Sequence, residues 1–581
     1  MNKNFVRKRT VAVLLIVAAA VIMVLPQIYY KSIMVGDDIS FHFNRVYDLS
    51  RQIQTGHYNY FQSIFGFNQS GRIINALYGY DLAYFLARIL IVVKTWTRFQ
   101  IVTSFLCYFF SGINIYILMK YLKISEKLSI ILAMIYMSCA LISFYALIQS
   151  FISWGGAFLP LIFIPAVKAV RDRENPINPI FLAIPVSLLI ATHILSALIG
   201  VLAIVPFFLV SLYYCKDKLK WFVTALFSVG LTLIFSLNSL YGYIEVFSTN
   251  NLLKPFINTN MSNSTVMLSL TKNETRNLGL IISLIFVIQL LYALITWREI
   301  PLIEKIINGT GGLFLFISSN LVPWNTLAEK FSFLTTLQFP MRFSIIAYIL
   351  LLVGVGLSLD RRSDSLGFEK MRLVKIILLT GAIISIANVN NMVKESSNFW
   401  LSADPTQGGN NKSSLYETDP EQFRSKIKDK DLTKALDVIR KGTPDYLAIA
   451  DNETTQSIYS KGPYEIYKKD VMENPNNVSK KVTKSSDIEL KWKAKKKDEI
   501  VLPVAIYSHS TIEVNGKKLD SKTVMKSELG LLKIISKIGE NTAIVGYSPS
   551  INMKFIIIIK LLGILSCAIY LIMYLGRKFL S

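Results

Sequence analysis

The chain has 581 residues, 52% of them hydrophobic and only 17% charged, with a mean hydropathy of +0.44. Ordinary soluble domains run near a quarter charged, so soluble, fibrous and disordered classes are excluded and an integral membrane protein is expected. The net charge of +24 does not point to nucleic acid: residues 390–552 hold 26 Lys+Arg against 22 Asp+Glu, and the other 36 basic and 16 acidic residues concentrate in short loops between apolar runs, where topology rules place them.

In chain order, the basic start Met1 to Arg9 precedes an uncharged run from Thr10 to Tyr30 with no small-residue cleavage site, which reads as a retained first span. Hydropathy then predicts twelve spans, near residues 11–30, 99–119, 128–147, 154–170, 178–193, 197–214, 221–240, 278–297, 306–322, 342–359, 373–389 and 554–576. Residues 178–214 form one apolar stretch too long for a single crossing, and it is divided at Thr192 to Ser196. Residues 80–94 are apolar but short and carry Arg88, which fits either an interfacial or re-entrant helix or a further span. All four cysteines (Cys107, Cys139, Cys215, Cys567) lie in or beside apolar runs, with no Cys-x-x-Cys pair, so neither a disulfide nor a structural metal is indicated.

With Lys3, Arg7, Lys8 and Arg9 in the cytoplasm, counting crossings puts six further segments inside: 120–127, 168–173, 216–220, 298–305, 361–372 and the tail with Arg577 and Lys578. Each carries at least two basic residues, as the positive-inside rule requires. The outer face receives residues 31–98, 241–277, 323–341 and a soluble domain at 390–553. The expected organisation is a polytopic domain over 1–389, an extracytoplasmic domain over 390–553, and a last helix with a cytoplasmic tail over 554–581. Within the soluble domain, helical periodicity near Pro420 to Lys441 gives way to strands at Ile500 to Tyr507, Thr511 to Val514, Leu531 to Ile535 and Thr542 to Tyr547, with an Asn515-Gly516 hairpin turn. The expected fold is thus an α-helical polytopic membrane protein with a β-rich or α+β outer module. The Lys-rich stretch Lys491 to Lys497 reads as a solvated face.

The cytoplasmic loops are too short for a nucleotide-binding domain, and no Gly-rich phosphate loop is present, so any chemistry belongs to the outer face. The span centres carry almost no acidic residues, unlike ion-coupled transporters. Directly after the first span, Asp38, His42 and Arg45 recur at i, i+4 and i+7 beside an apolar stripe of Ile39, Phe43, Val46, Leu49 and Ile53. This predicts a helix lying flat on the membrane, with carboxylate, imidazole and guanidinium along one edge. The same residues also fit a plain interfacial helix capped by Asp37 and Asp38. On the same side by topology are His193 with Thr192 and Ser196, Glu245, and Arg342 behind Pro340. His193 fits a hydrogen-bonded packing role as well as chemistry, and Arg342 fits a phosphate clamp as well as snorkelling to headgroups. Lys254, Lys272 and Arg276 are weaker candidates.

Gly36-Asp37-Asp38 with Phe41-His42 and Arg45, Tyr78-Gly79-Tyr80-Asp81, Thr192-His193-Ile194-Leu195-Ser196 and Gln338-Phe339-Pro340-Met341-Arg342-Phe343 together resemble the bacterial YfhO-like membrane proteins and the relatives labelled 6-pyruvoyl-tetrahydropterin synthase-related, a label that carries no pterin chemistry. Leu502-Pro503 and Asn515-Gly516-Lys517 extend the resemblance over most of the chain. The chain departs from the family pattern with Met341 where an aromatic is common, and with Ser508-His509-Ser510 where a Tyr-Gly type turn is common. The resemblance implies the glycosyltransferase C fold and a sugar donor on polyprenyl phosphate. It further implies Asp38 or Asp37 as catalytic base, Arg342 against the departing phosphate, and His42, Arg45 and His193 orienting donor or acceptor; some relatives use a divalent metal and others none. Glu245, placed on the same face by topology, is a further substrate-binding candidate. The expected partners are a polyprenyl-phosphate-sugar donor, a cell-envelope glycan or lipid acceptor such as a teichoic-acid-type polymer, and membrane lipids, in a cell whose composition hints at a low-GC Gram-positive bacterium. A lipid-linked sugar transporter and a non-catalytic wall-binding scaffold are the competing expectations.

Overall fold

The computed structural model describes residues 3–35, 38–405, 414–417 and 419–580. It is mostly helical, with strands confined to the C-terminal third. The chain divides into two compact units: Met1–Met34, Gln100–Phe235 and Ile257–Asn398 form one, and Val35–Phe99, Ser236–Phe256 and Phe399–Ser581 form the other.

Among the described residues, eight helices are long and apolar enough to cross a membrane, or nine if the pair Glu126–Met137 and Ala140–Ile148, bent by 46°, makes one span. Twelve spans were expected, and Pro179–Thr192 and Gly279–Ile295 are shorter apolar helices beyond these eight or nine. The apolar runs at 178–193 and 278–297 form helices Pro179–Thr192 and Gly279–Ile295 of 14 and 17 residues, the first short of and the second at the lower end of the ~17–25 residues that cross a ~30 Å hydrocarbon layer. The run at 306–322 lies mainly in helix Leu302–Ser318, also 17 residues. The long apolar stretch does break where its length required: His193, at φ −155° and ψ 106°, separates Pro179–Thr192 from Ile194–Tyr214.

In the first unit, helix Leu302–Ser318 lies along Ser344–Arg361. A side chain on Gly311 would press on Leu351, and one on Gly354 would collide with Asn308 Oδ1, so small residues set this close approach. Gln289 Nε2 donates to Asn308 Oδ1 (2.8 Å) and Ser358 Oγ (3.0 Å), satisfying polar groups that would otherwise be stranded among apolar neighbours.

The second unit joins the first loop to the strand-bearing module. Nine strands, β1 (Ser414–Tyr416), β2 (Ile439–Lys441), β3 (Ser479–Val482), β4 (Ile488–Ala494), β5 (Glu499–Ala505), β6 (Ser510–Val514), β7 (Lys517–Leu519), β8 (Leu531–Ile535) and β9 (Gly539–Tyr547), pair antiparallel throughout. The main sheet has the order β3-β4-β9-β6-β7, with β5-β8 and β1-β2 as separate pairs. The β6-β7 hairpin turns at Asn515 and Gly516, both at positive φ (48° and 80°), as a two-residue hairpin demands. Lys491 and Lys493 are exposed on β4 while Trp492 between them is buried, the period-2 alternation of a half-buried strand.

The module's core is completed by the first loop. Ile64 is fully buried among Ile488, Leu490, Leu502, Val504 and Val545. Ala505 N donates to Ser70 O (2.8 Å), and Ile73 N donates to the Tyr507 hydroxyl (3.0 Å).

Candidate active site

The first-loop helix runs Ile39–Thr55, and Asp38 is its N-cap residue. Its apolar stripe is buried: Phe43 stacks on Trp96 with ring centres 4.0 Å apart, and Ile39, Val46 and Leu49 are each 1% exposed. The opposite face is buried as well. Asp48 accepts from the backbone N–H of Phe65 (2.8 Å) and Gly66 (3.0 Å) and from Gln52 Nε2 (2.9 Å), which pins the loop to the helix. Burial pushes the Asp48 carboxyl up to about 6 against these bonds.

His42 and Arg45 therefore do not line an open edge, as the flat-helix expectation required; they are 3% and 0% exposed, because the rest of the first loop folds over them. Arg45 Nε donates to Asn75 Oδ1 (3.1 Å), Nη1 lies 3.2 Å from His42 Nδ1, and Nη2 donates to the Tyr78 carbonyl. The guanidinium also stacks over the Tyr78 ring, 4.7 Å from its centre. Asp38 differs: it is exposed and makes no side-chain bond to cap the helix, so the capping role does not account for it. Asp37 lies outside the described residues.

Sequence reasoning missed Asp445. Its carboxyl is pushed up to about 6, first by burial, with the Arg72 guanidinium pulling it down and the nearby Asp38 charge pushing it up. Asp445 Oδ1 and Arg72 Nε are buried with no hydrogen-bond partner among the described residues. Arg72, itself 0% exposed, donates to Thr443 Oγ1 (2.7 Å) and Asp445 O (2.6 Å). Tyr464 also senses both carboxylates, its hydroxyl being raised chiefly by burial. Asp38, Arg72 and Asp445 thus act on one another from segments far apart in the sequence. The only local signal was the turn sequence Gly442-Thr443-Pro444-Asp445-Tyr446. Among the described residues no group of three or more His, Cys, Asp or Glu side chains is placed to hold a metal ion, and no step below uses one.

Glu245, on helix Leu237–Thr249, meets other partners. It accepts from Ser550 N (2.8 Å) and Tyr241 OH (3.1 Å), and its Oε1 lies 2.7 Å from His509 Nδ1. Burial alone would raise this carboxyl, but the bonds from Ser550, His509 and Tyr241 outweigh it and hold it below the usual range. Glu245 is thus built into the attachment of the strand module to its helix.

The remaining two candidates belong to the first unit. His193 caps helix Ile194–Tyr214, its Nδ1 accepting from Ser196 N (3.2 Å) and lying 2.8 Å from Ser196 Oγ, the geometry of a packing role. Arg342 is half-buried; Nη1 donates to Leu337 O (2.8 Å) and the guanidinium stacks 4.8 Å from the centre of the Phe339 ring.

No family model and no curated protein matches the chain. Among solved structures, the chain is similar to the oligosaccharyltransferase of Archaeoglobus fulgidus in its apo form, with 10% identity and a TM-score of 0.39 over 66% of this chain and 56% of that one. It is also similar to that protein in complex with Zn and sulfate (11%, TM-score 0.40, 65% and 53%). A third similar structure is the archaeal oligosaccharyltransferase AglB from Archaeoglobus fulgidus with an inhibitory peptide and a dolichol-phosphate (11%, TM-score 0.36, 67% and 56%). The chain spans little more than half the length of these structures.

Proposed function

We propose that the chain is a membrane glycosyltransferase of the glycosyltransferase C type, moving a sugar from a polyprenyl-phosphate carrier to a cell-envelope polymer or glycolipid at the outer face. The observation that carries this reading is Asp38: an exposed carboxylate whose charge acts on Asp445, a buried acid raised to about 6 and drawn down by the buried Arg72 guanidinium. In the proposed step Asp38 takes the proton of the acceptor hydroxyl, the acceptor oxygen bonds to the anomeric carbon, and the bond from that carbon to the phosphate oxygen breaks, its electron pair leaving with the phosphate. Asp445 near its midpoint keeps the acid pair from carrying two full charges at mildly acidic pH. The resemblance to YfhO-like proteins gives Arg342 the charge of the leaving phosphate, a role tested on its own by Arg342→Ala.

The test is sugar transfer from a radiolabelled polyprenyl-phosphate sugar by full-length protein in proteoliposomes. Asp38→Asn abolishes product at unchanged protein level. Unchanged product in both the Asp37→Asn and Asp38→Asn variants would overturn the reading.

A further inference from the structure

A cavity of about 450 Å³ lies in the second unit between the first-loop helix, the loop 65–69 and the strand module. Its size is that of a small-molecule site (~300–1,000 Å³), but such sites are mostly apolar and this lining is mostly polar, which suits a hydroxyl-rich ligand rather than a hydrophobic one. It is lined by Tyr47, Phe65, Phe67 and Tyr467 together with the amides of Asn68 and Gln69, with the Arg72 guanidinium over the Phe67 and Tyr467 rings. Rings that cover sugar C–H faces, and amides that both donate and accept, are the two contacts a saccharide needs.

Charge decides what kind of saccharide. Arg51, Arg440, Lys441 and Lys480 line the cavity against the single acid Asp437. Some cations elsewhere in the module are matched to carboxylates, as in Lys426–Glu417, Lys434–Asp429 and Lys533–Glu499. Among the described residues Arg51, Arg440 and Lys480 form no ion pair: Arg51 donates to Gln54 and lies 6.0 Å from the centre of the Phe65 ring, Arg440 donates to the Met472 carbonyl, and Lys480 to the carbonyls of Asn68 (2.6 Å) and Pro503 (2.9 Å). Arg440 Nε is buried and has no hydrogen-bond partner among the described residues. Burial pushes the Lys480 ammonium down to about 7, and an anion in the cavity would hold it charged.

The backbone agrees. Phe67, Asn68 and Gln69 stand in succession at φ 52°, 56° and 50°, a left-handed turn of three non-glycine residues. Backbone strain of this kind collects where side chains must be presented in a fixed way. Asn44 Oδ1, accepting from Phe67 N (2.7 Å), and Lys480 hold the turn against the cavity.

We infer that this cavity binds a phosphate-bearing sugar unit, with the unpaired cations taking the phosphate and the rings and amides taking the sugar. The inference concerns binding only and stands whether or not the transfer reading does.

The test is calorimetric titration of full-length protein in detergent with glucose 6-phosphate, glucose and inorganic phosphate. Glucose 6-phosphate is expected to bind at least tenfold tighter than either fragment. Arg440→Gln is expected to weaken it about tenfold, and Arg51→Gln, on the outside of its helix, severalfold, while Lys496→Gln, at an exposed Lys–Asp pair, changes nothing. Displacement by vesicles containing polyprenyl-phosphate glucose assigns the phosphate sugar to the lipid carrier, and failure to displace assigns it to a soluble glycan. Equal affinity of the wild type, Arg440→Gln and Arg51→Gln proteins, with melting temperatures unchanged, overturns the inference, as does glucose 6-phosphate binding no tighter than glucose.

Discussion

Arg45 Nη1 lies 3.2 Å from His42 Nδ1. A guanidinium has only donors, so His42 Nδ1 accepts, and the imidazole carries its proton on Nε2. The three outward functions of Arg45 (the amide of Asn75, the carbonyl of Tyr78 and this imidazole) are met by one planar fork stacked on Tyr78. Arg45→Lys keeps the charge but loses the fork and the stack. It is expected to destabilise the protein by about 1–3 kcal/mol and to lower transfer at least tenfold, read as a melting shift and a transfer rate.

Asp38 should separate the two readouts. It is exposed and makes no side-chain bond that caps its helix. Asp38→Asn is expected to leave the melting temperature within the error of the wild type while product falls at least ~100-fold. A matched loss of stability and product would assign Asp38 to structure instead.

Glu245 gives a pH-dependent contribution of the opposite kind. Its carboxyl is held below its ordinary value, so the stability it supplies is present above about 4.5, its unfolded value, and is lost as pH falls through the lower folded value. Glu245→Gln is expected to cost about 1–3 kcal/mol at neutral pH and to remove that acid-side slope, measured by melting curves from pH 3 to 8.

Asp445 is raised from 3.8 to about 6, so its contribution runs the other way: it is present below 3.8 and lost as pH rises through about 6. Asp445→Asn is expected to flatten the stability profile between those values and to raise stability above pH 6 by on the order of 1–3 kcal/mol. An unchanged profile would show that the charge is relieved in another way.

Much of the architecture was legible because hydropathy and turn chemistry act locally. The break at His193 followed from length alone, the Asn515-Gly516 hairpin from the need for two residues at positive φ, and Leu531–Ile535 from an apolar run between turn signals. Strands β3 and β4 escaped notice because lysines crowd them, although Ile488, Leu490 and Trp492 alternate inward with Glu489, Lys491 and Lys493. Hydropathy measures apolarity and not the length of the helix that forms, so the run at 178–193 gave no sign of its 14-residue helix. Asp38 was visible as an N-terminal acid at the head of an amphipathic stripe. The burial of His42 and Arg45, and the pairing of Asp38 with Asp445, were not, since both arise from contacts between distant segments.

Placing Ile64 inside the strand module has a consequence for biosynthesis. The sandwich cannot close until residues more than 400 positions downstream have left the ribosome, which at ~5–20 residues per second leaves the N-terminal piece of its interior unprotected for ~20–80 s. Through that interval an apolar hook waits at the membrane surface, and a nascent chain stalled before β4 would display it permanently, a ready target for quality-control proteases.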